Sequence, residues 1–253
     1  MPSIRAIPHG RYLLMLMIPF LAECVLLAFD VFDRKDWALE NALVVIALVA
    51  LVTTYRKLPL SRISYTLIFI FLALHEIGSH YTYAEVPYDR WFQALTGHGF
   101  NALVGWQRNN FDRVVHFSYG LLLAYPMREI YFRIANAEGF WGYFLPLDFT
   151  MSTSMLYELI EWGAAKIFGG QLGMAYLGTQ GDVWDAQKDM AMASLGALIA
   201  MLLTLAINRC IQRDFAREWA ESLRIKHARP LGEDEIVRLW KEKKGGQTRP
   251  PGD

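Results

Sequence analysis

Four short stretches hold most of the side chains able to do chemistry: "HEIGSHYTY" (75–83), "NNFDRVVHFSYG" (109–120), "YELIEW" (157–162) and "GDVWDAQKDM" (181–190). Within them the ionisable residues keep helical spacing. Glu76 and His80 are i,i+4, as are Asp112 and His116, and Asp185 and Asp189; Glu158 and Glu161 are i,i+3, as are Asp182 and Asp185. Each pair therefore shares one helix face. His75 and His80 are five apart and diverge, which excludes the HExxH zinc-protease arrangement. On this spacing Glu76 and His80 point into a common site, and His75 is a hydrogen-bonded packing histidine. Histidines mixed with carboxylates in a bundle core can hold a divalent metal such as Zn, Mn or Fe. A metal there would supply a hydroxide nucleophile. Without metal the same groups could relay protons or lock helix packing as a buried polar network. The metal reading takes His80, Asp112, His116, Asp182 and Asp189 as ligands, with Glu76, Glu158 and Asp185 as catalytic acids or bases. So many carboxylates at one place need a compensating cation, either the metal or Arg90, Arg108 and Arg113.

The elements that carry these residues are apolar blocks. The chain has 253 residues, is 54% hydrophobic and carries no net charge, with a mean hydropathy of +0.19. Neutrality gives no electrostatic case for nucleic acid. The blocks are each long enough, at about 20 residues, to cross a bilayer. Six spans are expected, at about 12–29, 38–54, 63–81, 113–132, 144–165 and 186–208, making an all-α polytopic transmembrane bundle over 1–209. A cytoplasmic helical tail with a disordered end follows over 210–253. "YLLMLMIPFLAECVLLAF" reads as a retained span rather than a signal peptide, because no small-x-small cleavage site follows.

Basic residues set the orientation. Arg5, Arg11, Arg56, Lys57, Arg62, Arg128 and Arg133 fall on one side with the basic tail, which puts both termini in the cytoplasm. All four stretches then lie at one depth, toward the outer face. Cys24 and Cys210 fall toward opposite faces, so no disulfide joins them. The long connection 82–112 is expected to form a short interfacial or re-entrant helix. The glycine-rich run that begins at Gly169 lacks the GK[ST] of a phosphate loop.

"HEIGSHYTY", "FDRVVHFSYG", "YELIEW" and "GTQGDVWDAQKDM" together resemble the YjdF-like family of bacterial inner membrane proteins over nearly all of 10–208. That resemblance implies an inner-membrane location and a multi-pass topology rather than a chemistry. The second half is more distantly similar to VanZ-like proteins, whose pattern is D-[KR]-x-x-H-x-x-x-Y, E-x-x-Q, then D-x-x-x-N-x-x-G. Asp112, Arg113, His116, Glu158, Asp189 and Gly196 match it; Tyr119 stands one residue early, Glu161 replaces Gln and Ala193 replaces Asn. This similarity implies a cell-envelope role. Two functions stay open: a metal-dependent hydrolase or transferase acting on an envelope lipid or lipid-linked substrate, and a non-enzymatic transporter or assembly partner with a structural or proton-relaying cluster. Membrane lipids surround the protein in both.

Overall fold

The computed structural model describes residues 7–168, 180–226 and 232–245. It is all-helical, with no strand among the described residues. The long helices are α1 (His9–Leu27), α2 (Arg34–Thr54), α3 (Arg62–His80), α6 (Phe111–Ala135), α7 (Trp141–Phe168) and α8 (Asp185–Ile211). Two short helices, α4 (Tyr88–Thr96) and α5 (Phe100–Val104), lie between α3 and α6, and two more, α9 (Phe215–Ser222) and α10 (Glu233–Gly245), follow α8. Each long helix coincides with an apolar block of the sequence. By length and composition α1, α2, α3 and α8 can cross a membrane. Their outward faces carry exposed Val45, Ile46, Val49 and Val52 on α2 and Leu198, Leu202 and Leu203 on α8, as contact with lipid tails requires.

Local sequence accounts for the helix ends. The Asp33 carboxylate accepts hydrogen bonds from the N–H groups of Lys35 and Asp36, capping α2. Ser61 caps α3 through Ser64 N–H. The 82–112 connection differs from the single helix expected. Gly97 adopts φ +80° and ends α4, since only a residue without Cβ takes that conformation without strain; α5 then starts anew. Cys24 and Cys210 are both free thiols.

Packing is closest between α6 and α8. A Cβ at Gly120 would lie 1.9 Å from the Ala193 carbonyl oxygen, and one at Gly196 would lie 2.1 Å from that of Phe117. Ala124, Ala193 and Ala197 complete a seam of small, fully buried residues. Where lipid removes the hydrophobic drive between helices, such backbone approach is what binds them. α3 packs on α6, and α7 on both α6 and α8. α1 covers α3 through Phe20, whose ring meets Phe69 edge-on at 5.6 Å. α2 leans chiefly on α3 and has no extended packed seam with α6 or α7.

α9 docks back onto the bundle. Trp219 packs on Phe140 and Tyr143, and the Trp141 indole N–H donates to the Ser222 carbonyl at 2.9 Å. The expected disordered end, and most of the glycine-rich run, lie outside the described residues.

Candidate functional site

The small-residue seam places the site. Asp112, His116 and Gly120 succeed one another at i,i+4 on α6, and Asp185, Asp189 and Ala193 do so on α8. Because Gly120 sits on the Ala193 backbone, the residues one and two turns earlier on each helix meet across the same seam. His116, Glu158 and Asp189 each bring one ligand-type atom within 4.8 Å of the others, and Asp112, Asp185 and Asp189 do likewise. Asp189 is common to both groups. His116 Nε2 lies 3.4 Å from Glu158 Oε1, and the His116 ring stands edge-on to Tyr157 at 5.8 Å.

Cations neutralise Asp112, Asp182 and Asp185 but not Glu158 and Asp189. Arg113 reaches Asp182 at 2.7 Å and Asp185 at 3.0 Å. Arg108 pairs with Asp185 and lies 3.7 Å from Asp112, while Lys188 binds Asp182 at 2.6 Å. The Lys188 ammonium, the Trp184 N–H and Arg113 hold the Asp182 carboxyl well below the usual aspartate range. Arg90 is exposed and outside this set. Glu158 and Asp189 have no Lys or Arg partner among the described residues. Each also has one buried carboxylate oxygen, Glu158 Oε1 and Asp189 Oδ1, that makes no hydrogen bond. Burying such oxygens without a hydrogen bond is costly, so the arrangement calls for a cation or a proton at this point.

α3 is turned differently from the expectation. His75, not Glu76 or His80, faces the interior. Its Nδ1 meets the Tyr83 hydroxyl at 2.5 Å and its Nε2 the Glu40 carbonyl at 3.3 Å. Glu76 and His80 continue the Phe69–Leu72 face that α1 covers. Glu76 is fully buried beside Cys24 and Glu23, and His80 Nδ1 meets the Leu27 carbonyl at 2.8 Å. The reason is rotational. At about 100° per residue, the face that seats α1 carries positions 69, 72, 76 and 80 and leaves 68, 71 and 75 for the interior. Of the eight residues proposed from sequence, the fold thus gathers Asp112, His116, Glu158, Asp185 and Asp189, sets Asp182 at the rim in ion pairs, and places Glu76 and His80 against α1.

Two acids that sequence reasoning left out join the interior. Asp36 and Glu40 on α2 are 2% and 3% exposed, and the Tyr157 hydroxyl donates to Glu40 at 3.2 Å. Their i,i+4 spacing one turn into an apolar block was the available signal; beside Asp30 and Asp33, Asp36 resembled an interfacial charge.

A cavity of about 620 Å³ lies between α2, α3, α6, α7 and α8, with ionisable residues gathered at one end. Asp36, Glu40, His75, Asp112, His116, Glu161, Asp185 and Asp189 line that end. Leu51, Leu58, Leu123, Ile130 and Ile134 line the other.

A bundle of long apolar helices around a buried acidic group defines an integral, polytopic membrane protein. The family model for predicted membrane proteins designated DUF2238 matches residues 12–209, and the chain belongs to that family. It is 39% identical over 181 residues to inner membrane protein YjdF of Escherichia coli (strain K12), covering 71% of this chain and 82% of that protein. No solved structure matches the chain.

Proposed function

We propose that the protein is an inner-membrane metalloprotein, with both termini cytoplasmic, that acts as a hydrolase or transferase on an envelope lipid or lipid-linked substrate. The carrying observation is the convergence of His116, Glu158 and Asp189 within 4.8 Å, with two buried carboxylate oxygens that make no hydrogen bond. A divalent cation is the economical partner for such a set. One imidazole among carboxylates suits Mn or Fe well, and Zn can also be held this way. His116, Glu158 and Asp189 would hold the ion, with Asp112 and Asp185 beside it. The ion would supply Lewis acidity toward an ester or phosphoester oxygen. Arg108 and Arg113 fix Asp185 from the outer side and would keep its carboxylate oriented. The inner-membrane location is supported by the similarity to YjdF, and the envelope substrate by the VanZ-like pattern at Asp112, His116, Glu158 and Asp189.

The test is metal analysis of detergent-purified protein after reconstitution with Mn, Fe or Zn. Stoichiometric metal in the native protein, lost in His116→Ala and Asp189→Ala, is the expected result. No metal above background in the native protein would overturn the proposal.

One observation favours a second reading, proton relay or a structural network. Tyr83, His75, Glu40 and Tyr157 form a connected run on the α2–α3 side, which needs no ion. Under the structural-network form of that reading Asp189→Asn lowers thermal stability while cellular function stays unchanged; under the relay form it removes function without changing metal content.

A further inference from the structure

We propose that the cavity is a binding site for one acyl chain of a membrane lipid, whose polar head lies at the His116–Asp189 end. Only the placing of the head rests on the metal reading; the chain site stands on the cavity itself.

Four features of the cavity point to this occupant. Its volume, about 620 Å³, lies within the range of about 300–1,000 Å³ typical of small-ligand sites. Its wall on α2 runs from Asp36 to Thr54, roughly 27 Å at about 1.5 Å per residue, close to the hydrocarbon thickness of about 30 Å. Its composition is graded: carboxylates, His75 and His116 at one end, then Val44, Ala47, Leu51, Leu123 and Ile130 along the rest. Its side is weakly closed, because α2 has no extended packed seam with α6 or α7 and meets α7 through the Tyr157–Glu40 hydrogen bond at the polar end.

Water does not settle in an apolar space lacking polar partners, and an empty space of this size would forfeit the dispersion contacts of every lining side chain. A solute path would need polar groups throughout its length, whereas the leucine and isoleucine end offers, among the described residues, Thr54, whose hydroxyl already donates to the Ala50 carbonyl. A chain entering sideways from the bilayer between α2 and α7 satisfies both ends. It keeps its methylenes among apolar side chains and delivers its head to the acidic group without crossing the membrane.

The test uses the full-length protein in vesicles of phosphatidylglycerol bearing a diazirine on one acyl chain. After photolysis, labelled residues are mapped by mass spectrometry. Adducts are expected at the inward-facing Ala47, Leu51, Leu123 or Ile130, as well as on the lipid-facing Ile46, Val49 and Val52. Ala47→Trp, which obstructs the cavity midway along α2, is expected to cut inward labelling severalfold and leave outward labelling and bound metal unchanged. Labelling confined to the outward residues in the unaltered protein would overturn the proposal, whatever covers the cavity instead, a partner helix included. His116→Ala keeps inward labelling, so loss of the metal reading and loss of the chain site give different results.

Discussion

Asp185 and its two arginines show how much a single charge matters at this site. Asp185 is 4% exposed and pairs with Arg113 at 3.0 Å and with Arg108. Removing one partner of a buried pair strands the other, at about 3–5 kcal/mol. Arg108 stays on Asp185 when Arg113 is removed, so Arg113→Met is expected to destabilise the protein by less than that amount, read as a lowered midpoint in thermal unfolding in detergent, and the double variant Arg108→Met/Arg113→Met by about the full amount. Asp182, at the rim and outside the spans, behaves differently. Its carboxyl is held below the ordinary range by Lys188, the Trp184 N–H and Arg113. A lowered folded-state value means that its stabilisation is complete above the unfolded aspartate value of about 3.9. It is lost as pH falls below that toward the folded value. Asp182→Asn should therefore lose a constant amount of stability through the neutral range and converge on the unaltered protein as pH falls below about 4, which flattens the acid limb of the stability profile. An unchanged acid limb would remove Asp182 from the account.

At the scale of elements, the α6–α8 seam decides where the site forms. Gly120→Ala would drive a methyl into the Ala193 carbonyl, 1.9 Å away, and backbone cannot step aside as a flexible side chain can. The two helices would have to part, at about 1–3 kcal/mol for overpacking, carrying His116 away from Asp189. Gly120→Ala is expected to lower both thermal stability and metal content. Gly163→Ala on α7, with nothing within 4 Å of the added methyl, should change neither for the worse and gain about 0.5–1 kcal/mol of helix preference. Equal effects at the two positions would show that the seam does not govern the site. The seam was half legible in the sequence. The i,i+4 ladders of Asp112–His116–Gly120 and Asp185–Asp189–Ala193 mark one face of each helix. That these two faces meet each other, rather than lipid or α3, depends on which helices pair. α3 makes the same point in reverse: its spacing allowed either His75 or the Glu76–His80 face to look inward, and the seating of α1 on Phe69 and Leu72 chose His75.

For the molecule as a whole, orientation follows from where lysines and arginines gather. The proposed arrangement puts the Asp182 rim outside the cell membrane and the end of α8 inside. In intact cells, a membrane-impermeant maleimide is expected to label Val183→Cys, a position 85% exposed, in a background lacking Cys24 and Cys210. Ile225→Cys, 88% exposed, should label only after the cells are opened. The reverse pattern would place the acidic group at the cytoplasmic face and overturn the proposed orientation. The docking of α9 through Trp219 and Ser222 adds a second consequence at this scale. The segment after α8 braces the start of α7, so truncation before Phe215 is expected to loosen the inner end of the bundle, measured as faster proteolysis near Trp141.

Composition and block length alone determined that the chain is an all-helical membrane protein with long helices near the expected places, because the thickness of a bilayer fixes how many apolar residues a helix must have. Spacing alone placed Asp112 with His116 and Asp185 with Asp189. Only the tertiary structure decided that Asp189 joins both ligand groups, that Asp36 and Glu40 face the interior, and that Glu76 and His80 turn to α1. A helix pattern states which residues share a face; it holds no information on which neighbour that face will meet. That choice is made by close backbone approach at Gly120 and Gly196 and by the seating of Phe20 on Phe69, contacts between residues far apart in the chain.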